Sequence, residues 1–301
     1  YMEVEVTSTS GYEASVCSLR VHAIDGKFDN KKNEVIISDA LTKTFELGKK
    51  IDIFLGYDKK DNCKQVFSGF ITSINLEYTG ESYVRYIVEA MDAKFLLMNN
   101  LRSEAKKDMK KYSQVVNDIL SGYSSYLGKL TIKETSELGS TIEQYNQSDY
   151  DFIVSIAKKL NFMFYLYNGN VFFVPYAYDQ KPDLSLTPGR YLLRFTREVT
   201  LDNQIKSVTV RSNNEQSPGK VFEATADKVT VAVGNGKSAG GDISKIIGDK
   251  MQKTIIDPSV KSTQEAQERA QAELDKVSLK FATGEFETVG IPDIEPGKFI
   301  Y

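Results

Sequence analysis

The chain has 301 residues, and its 38 Lys and Arg nearly balance 41 Asp and Glu, giving a formal net charge of −3. That balance argues against a dedicated nucleic-acid-binding protein, which would carry a concentrated basic surface, so no recognition of nucleic-acid sequence is expected. No apolar run reaches the roughly 20 residues of a transmembrane helix, and the length suggests about two domains.

Alternating apolar and polar side chains predict a series of β-strands through residues 1–90. The clearest runs are residues 2–7, 17–23, 51–56 and 84–90. One face of a longer strand is predicted from Phe70, Thr72, Ile74, Leu76 and Tyr78. A turn is expected at residues 79–82. Successive strands without helices between them predict a meander or a barrel.

Residues 91–190 have a different pattern, in which helices alternate with short strands. The basic stretch from Arg102 to Lys111 predicts a solvated helix or loop. Ser113 is predicted to cap a short helix that ends at Gly122. Ser148 is predicted to cap a second, amphipathic helix that ends at Asn161, because its hydroxyl can accept an otherwise unpaired backbone N–H.

An aromatic β-hairpin is predicted to follow the second helix. Residues 162–167 and 171–174 read as its strands, and the Asn168-Gly169 pair between them is typical of a tight turn. Prolines at positions 175, 182 and 188 then mark the end of this region.

Residues 191–301 return to strands, which are predicted at residues 205–210 and 229–233. A Gly-rich stretch, residues 234–241, is predicted to be a mobile loop. Ser262 and Glu265 form a capping box that opens a helix with small alanines on one face. Residues 277–289 are predicted to form two strands interrupted at Gly284. The natural chain is expected to continue beyond Tyr301.

No catalytic, cofactor-binding or metal-binding residue is predicted. Asp149 and Asp151 are two positions apart on a helix, so they do not face each other, and capping accounts for both. His22 is the only histidine, which leaves no Ser/His/Asp set. One His and two Cys cannot build a usual zinc site without carboxylates, and Cys17, on the apolar side of its strand, is predicted to be a buried free thiol. A catalytic site made of carboxylates that are distant in the sequence but close in space stays open.

The segment Gly236-Lys237-Ser238 imitates part of a phosphate-binding loop. The full motif needs a glycine five residues before its Gly-Lys pair and a helix that starts at the lysine. Val231 occupies the position of that first glycine, and two glycines follow Ala239. Nucleotide binding is therefore not predicted.

The order of four segments resembles the phage late control gene D family and the related valine-glycine repeat spike proteins of contractile injection machines. The most specific segment reads Q-Y-x-x-S-D-x-D-F. The matching segments are Val66–Ile74 with Tyr86–Asp92, Gln144–Phe152, Val199–Val210 and Ser262–Gly297.

This resemblance implies an α+β, mostly β chain. Residues 1–90 and 191–301 would form two tail-tube-like β-barrels, the second truncated at its C-terminus, and residues 91–190 a helix-containing inserted subdomain. It further implies a non-enzymatic baseplate hub protein, in which three chains form a ring that joins the tail tube to the central spike. The expected partners are the tail tube protein, a spike protein or C-terminal spike domain, and other baseplate proteins.

The expected location is the tail baseplate of a virion, with prophage origin included, or of a phage-tail-like particle, assembled in the bacterial cytoplasm. Phage, bacteriocin, extracellular injection particle and type VI secretion-like spike all stay open as the machine. Two other functions stay open as well: a tail-associated cell-wall hydrolase and a receptor-binding tail protein.

Overall fold

The computed structural model describes residues 2–23, 27–37, 39–57, 59–78, 84–138, 141–176, 182–213, 219–233, 237–238 and 250–301. Strands predominate over helices in these residues, and the predicted α+β, mostly β class is confirmed. The predicted turn at residues 79–82 and most of the Gly-rich stretch lie outside the described residues.

The N-terminal part of the chain folds around a five-stranded antiparallel sheet in the order β1-β2-β7-β6-β5, which curls into a half-barrel. β1 and β5 are its two edges. A separate β3–β4 hairpin precedes the short helix α1. The elements are β1 (Met2–Thr7), β2 (Val16–Ala23), β3 (Lys27–Asp29), β4 (Glu34–Ile36), α1 (Asp39–Thr44), β5 (Lys50–Leu55), a 3₁₀ turn (Lys60–Asn62), β6 (Lys64–Tyr78) and β7 (Val84–Met91).

The face predicted for β6 is wrong in its first half, because a bulge changes which residues point inward. Ile71 lies opposite Ala90 and Ser73 opposite Glu89, which leaves Thr72 as the extra residue. Phe67 and Ile71 therefore face the core of the half-barrel before the bulge, and Ile74 faces it afterwards. A bulge shifts the two-residue alternation by one position.

The middle of the chain forms a second core from three helices, a mixed sheet and a two-stranded β8–β10 pair. In the sheet, β12 pairs with β11 antiparallel and with β9 parallel. The elements are α2 (Lys94–Met98), β8 (Arg102–Lys106), α3 (Tyr112–Ser121), β9 (Leu130–Ile132), β10 (Ile142–Gln147), α4 (Asp149–Leu160), β11 (Phe162–Tyr167) and β12 (Asn170–Pro175). Phe70 of β6 packs against this core, which joins the first two parts of the chain.

The local signals around α4 are confirmed. The Ser148 hydroxyl accepts a hydrogen bond of 2.9 Å from the backbone N–H of Asp151, and Asn161 ends the helix in the left-handed conformation, at φ 55°. Asn168 and Gly169 both have positive φ, as a type I′ hairpin turn requires.

The predicted cap of α3 is wrong. The cap position is Lys111, whose backbone N–H donates to the side chain of Gln114 at 3.1 Å. Ser113 is buried and exchanges hydrogen bonds with Thr135, so its hydroxyl holds a loop rather than a helix end. The basic stretch is exposed as predicted, but its first half forms strand β8 instead of a helix or loop.

The C-terminal part contains a three-stranded sheet, β16-β15-β19, and a separate two-stranded β14–β20 ribbon. β17 pairs antiparallel with β18, and β13 pairs parallel with β21. The elements are β13 (Pro182–Leu184), β14 (Leu192–Val199), β15 (Ser207–Asn213), β16 (Val221–Ala226), β17 (Ala232–Val233), β18 (Lys237–Ser238), β19 (Gln252–Ile256), α5 (Thr263–Ser278), a 3₁₀ turn (Leu279–Phe281), β20 (Ala282–Thr288) and β21 (Phe299–Ile300).

The helix opened by the capping box is confirmed as α5. The Ser262 hydroxyl accepts a hydrogen bond from the backbone N–H of Glu265, and the buried face with Ala266, Ala270 and Leu274 packs across β15 and β16. The two strands predicted at residues 277–289 are wrong. The helix continues to Ser278, and one strand, β20, runs unbroken through Gly284. The domain boundaries near residues 90 and 190 stay a prediction.

Candidate functional site

Asp149 is the centre of a buried polar network that links four elements of the middle core. Its side chain is 1% exposed. One carboxylate oxygen accepts hydrogen bonds from the Asn100 amide at 2.8 Å and the Tyr123 hydroxyl at 2.7 Å. The other accepts from the Gln144 amide at 3.0 Å. Arg102 lies 3.5 Å from the carboxylate at the surface.

These contacts hold the Asp149 carboxylate in place and occupy its oxygen atoms, which leaves it little capacity to act as an acid or a base. Burial raises the pKa of the Asp149 carboxyl, but the hydrogen bonds from Tyr123, Gln144 and Asn100, together with the Arg102 charge, outweigh burial and keep the pKa below its usual value. Burial and the neighbouring carboxylate also raise the pKa of Tyr123 to about 12. We interpret Asp149 as a positioning residue that fixes β8, β10 and α4 relative to one another.

Capping therefore explains only one of the two helix carboxylates. Asp151 is exposed and accepts a hydrogen bond of 2.7 Å from the Ser148 hydroxyl. The role of Asp149 depends on Asn100 and Tyr123, which are far away along the chain. Among its side-chain partners, only Gln144 is close to Asp149 in the sequence, five residues earlier in the Q-Y-x-x-S-D segment.

A second buried ionic group anchors the loop between β1 and β2. Lys94 is fully buried, and its ammonium donates to the backbone carbonyl oxygens of Gly11 at 3.3 Å, Tyr12 at 3.1 Å and Glu13 at 2.6 Å. Asp92 accepts from the backbone N–H of Ser15 at 2.8 Å. Sequence analysis named Asp92 only as the last residue of the resembling segment Tyr86–Asp92 and did not predict this role.

Burial shifts the pKa values of Lys94 and Asp92 in the directions that favour their neutral forms. It lowers the pKa of Lys94 to about 8, against the opposing charges of Asp92 and Glu13. It raises the pKa of Asp92, although Lys94 and the hydrogen bonds act in the other direction. The Tyr12 hydroxyl donates to the Phe162 carbonyl oxygen at 3.1 Å, and the Tyr150 hydroxyl to the Tyr12 carbonyl oxygen at 2.9 Å. The anchored loop thus ties the half-barrel to the middle core.

The described residues offer few other groups that could bind a metal or a ligand or act as a nucleophile. Within the described ranges, no group of three or more His, Cys, Asp and Glu side chains could hold a metal ion. Cys17 is buried and has no disulfide partner, as predicted, and burial raises the pKa of its thiol to about 11. Lys237 lies in strand β18 and not at the start of a helix, which agrees with the rejection of a phosphate-binding loop.

The exposed surface of the half-barrel carries an apolar groove between its two edge strands. The cavity measures about 660 Å³, and its lining includes Met2 and Val4 from β1 and Ile51, Phe54 and Leu55 from β5. Met2 and Phe54 expose more than half of their surface. An exposed sheet edge with apolar side chains offers backbone groups that can pair with another chain.

The β14–β20 ribbon, hereafter the ribbon, is the most exposed regular structure among the described residues. Its strands pair antiparallel, with Phe195 opposite Phe286 and Val199 opposite Ala282, so these four side chains share one face, together with Arg197 opposite Gly284. Phe195 is 60% exposed and Phe286 42% exposed. An isolated two-stranded ribbon is only marginally stable in water, and its apolar face therefore indicates a surface that another molecule covers.

The opposite face of the ribbon is charged. Arg194 lies opposite Glu287, and Thr196 lies opposite Glu285. Neither carboxylate has an ion pair with any residue that the structure describes. Sequence analysis predicted no strand at β14, whose residues are exposed along almost the whole strand. In the structure, β14 ends at Val199 and β15 begins at Ser207.

Residues 5–301 match the family model described as the Alg8 N-terminal domain. No curated protein sequence matches the chain. None of the described helices is both long enough and apolar enough to cross a membrane.

Three solved structures share the fold over nearly the whole chain. The 43 kDa tail protein of prophage MuSo2 from Shewanella oneidensis has a TM-score of 0.66 at 13% identity, over 96% of this chain and 82% of that protein. The tail protein from Neisseria meningitidis MC58 has a TM-score of 0.59 at 13% identity, with 94% and 74% covered. Prophage tail protein gp18 from Listeria monocytogenes EGD-e has 0.53 at 11% identity, with 99% and 77% covered. At these identities the likeness concerns the fold.

Proposed function

We propose a function for this chain, which belongs to the Alg8 N-terminal domain family: it is a structural baseplate hub protein of a phage tail or phage-tail-like contractile injection machine. The observation that carries the proposal is the fold, which the chain shares over 96% of its length with a prophage tail protein. Fold alone does not fix function, so the exposed apolar ribbon and sheet edges are a second, independent support.

In the proposed assembly, three chains form a ring between the tail tube and the central spike. Each chain contributes two tube-like units, residues 1–90 and 191–301, and residues 91–190 form an inserted subdomain. Six units from three chains would match a six-fold tube to a three-fold spike by closed cyclic symmetry. The proposed partners are a tail tube protein, a spike protein or spike domain, and other baseplate proteins. This extends the resemblance to late control gene D and valine-glycine repeat proteins.

The proposed role is non-enzymatic, and the protein would be assembled in the bacterial cytoplasm and located in a tail baseplate. Asp149, the most buried carboxylate in the Q-Y-x-x-S-D segment, is occupied by three hydrogen-bond donors. The purified chain is therefore expected to leave the turbidity of a peptidoglycan suspension unchanged. Clearing of the suspension would favour the hydrolase alternative.

Light-scattering mass across a range of concentrations tests the ring. The chain weighs 33.8 kDa, so a trimer weighs about 101 kDa. The proposal predicts that trimer mass at high concentration, with dissociation on dilution. A mass that stays at that of a single chain at every concentration would contradict self-assembly through the described surfaces.

A further inference from the structure

We propose that the sheet β16-β15-β19 and helix α5 form a rigid unit that pivots on the ribbon, and that a small polar contact with α4 latches this unit to the rest of the chain. The described residues of 205–278 are hereafter the pivoting unit, and those of 2–191 and 289–301 are the body. The inference concerns a motion within one chain and does not depend on the proposed hub role.

The ribbon carries both connections between the body and the pivoting unit. β14 leads into the unit after Val199, and β20 leads out of it from Ala282, which lies opposite Val199. Next to this pair, the Thr200 backbone N–H donates to the Phe281 carbonyl oxygen at 3.0 Å. Two-stranded ribbons reach larger twists than wider sheets, so a connection of this kind allows the unit to rotate while the strands stay paired.

The chain that follows β20 is fixed to the body. Asp293 forms an ion pair with Lys64, the first residue of β6. Gly297 lies so close to Tyr165 of β11 that an added Cβ would meet the tyrosine hydroxyl. Residues 289–301 are therefore held by both the half-barrel and the middle core, and the ribbon starts from a firm base.

Apolar packing joins the half-barrel to the middle core but does not extend to the pivoting unit. Tyr12 and Phe70, from the N-terminal part, pack against the middle core. Among the described residues, the core cluster that includes Val208 and Leu274 contains no side chain of the body, and the clusters of the body contain none of the unit. Parts of a chain that share no large hydrophobic interface are expected to move relative to each other.

The contact between the pivoting unit and α4 is small and polar. It consists of Lys159, Ser259 and Arg269, hereafter the latch. The Lys159 ammonium donates to the Ser259 hydroxyl at 2.7 Å, and the Arg269 guanidinium donates to the Lys159 backbone carbonyl oxygen at 3.1 Å. Hydrogen bonds of this kind can exchange for bonds to water, so the latch can open without exposing a shared core.

Two clefts beside the latch leave room for the rotation. One measures about 420 Å³ and lies between the body and the unit, with Phe162 and Tyr176 on one side and Gln271 and Asp275 on the other. The second measures about 410 Å³ and is lined by Lys159 of the latch. Rotation about the ribbon would change the width of the first cleft, as in hinge motions between domains.

Pulsed electron-spin distance measurements on the full chain test the pivot. All proteins carry Cys63→Ser, which removes the partly exposed thiol and leaves the buried Cys17. Spin labels at Asn117→Cys on α3 and Val221→Cys on β16, both exposed positions, report the distance between the body and the unit. Labelled chains are diluted in unlabelled chains, so that only distances within one chain are measured.

The control pair has both labels in the body, at Leu76→Cys on β6 and Asn117→Cys on α3, which are exposed positions. Lys159→Met removes one hydrogen bond of the latch, and Arg269→Met removes the other. Lys107→Met, at an exposed position of the body, is the matched control for the loss of a cation.

The expected result is a broader distribution of body-to-unit distances in Lys159→Met and in Arg269→Met than in wild type and Lys107→Met, with the control pair unchanged throughout. Broadening of the control pair as well would show that the substitutions loosen the whole fold, and would overturn the latch. Equal body-to-unit widths in all proteins would also overturn the latch. If those widths are as narrow as that of the control pair, the pivot is overturned too.

Discussion

At the scale of single residues, the buried charges of the middle region separate what sequence can predict from what it cannot. Ser148, Asn161 and the Asn168-Gly169 turn follow from local backbone chemistry, and the structure confirms each one. Asp149 and Lys94 are buried by contacts with residues distant in the chain. Local reasoning placed Asp149 on an exposed first turn, because nothing within a few residues signals its distant partners.

The variant Asp149→Asn tests the polar network. Asparagine keeps the shape but presents an amide N–H₂ where hydrogen-bond donors already converge, and it removes the charge facing Arg102. We expect the free energy of unfolding to fall by about 2–3 kcal/mol, the scale of hydrogen bonds to a charged group. Urea denaturation measures the change. Asp151→Asn is the matched control. Because Asp151 is an exposed capping residue, this variant should lower the free energy of unfolding by about 1 kcal/mol or less. Equal losses in the two variants would contradict the network.

The variant Lys94→Met tests the loop anchor. It removes the ammonium from three backbone carbonyl groups and leaves Asp92 buried without its cation. Leaving a buried acceptor without its charged donor costs about 1–3 kcal/mol, so a loss of several kcal/mol is expected in thermal or urea unfolding. Lys107→Met, at an exposed position, provides the comparison. An effect no larger than that of Lys107→Met would refute the anchor.

The pH dependence of stability gives the Lys94 site a separate signature. Burial lowers the pKa of Lys94 from 10.5 to about 8 in the folded chain. Between those two values the unfolded chain binds more protons at this site, so its contribution to the free energy of unfolding rises with pH, by at most about 1.4 kcal/mol per pH unit. The difference in stability between wild type and Lys94→Met should therefore widen from pH 8 to pH 10. A difference that narrows over that interval would contradict a lowered pKa.

At the scale of secondary-structure elements, alternation and capping predicted most strands of the half-barrel and the helices α4 and α5. The errors have physical causes. The bulge at Thr72 exchanges the two faces of β6, and the run from Phe70 to Tyr78 that predicted the face does not signal it. Helix α5 continues through residues that also suit a strand, because its buried face follows β15 and β16. β14 is exposed along almost its whole length, so it lacks the pattern of a half-buried strand.

The ribbon supplies a prediction at the element scale. Phe195→Ser should weaken association by at least tenfold, because the loss of one buried aromatic side chain costs more than about 1.4 kcal/mol at a contact. The folded monomer should keep its thermal stability to within about 1 kcal/mol, since Phe195 is 60% exposed. Sedimentation velocity and thermal unfolding together measure both effects.

Tyr145→Ser is the matched control for this substitution. Tyr145 is an aromatic residue of similar size on a strand, is 80% exposed, and lies in β10, away from the ribbon. Association of this variant should equal that of wild type. Equal weakening by the two substitutions would indicate a general effect of lost surface aromatics and would count against the ribbon as the surface through which copies associate.

At the scale of the whole molecule, the described residues form a mostly β, α+β fold with three main hydrophobic cores. The cores lie within residues 17–90, 93–173 and 208–274. Composition and periodicity predicted this class and the helical middle, and the order of the resembling segments suggested a tail-protein fold. The arrangement of copies could not be predicted from periodicity, because it depends on which strands stay unpaired after folding.

Electron microscopy of the purified protein at the concentration where it self-associates tests the central claim most directly. The account predicts class averages of a closed three-fold ring with an axial opening. Class averages that contain only single chains or two-fold dimers would contradict the hub ring.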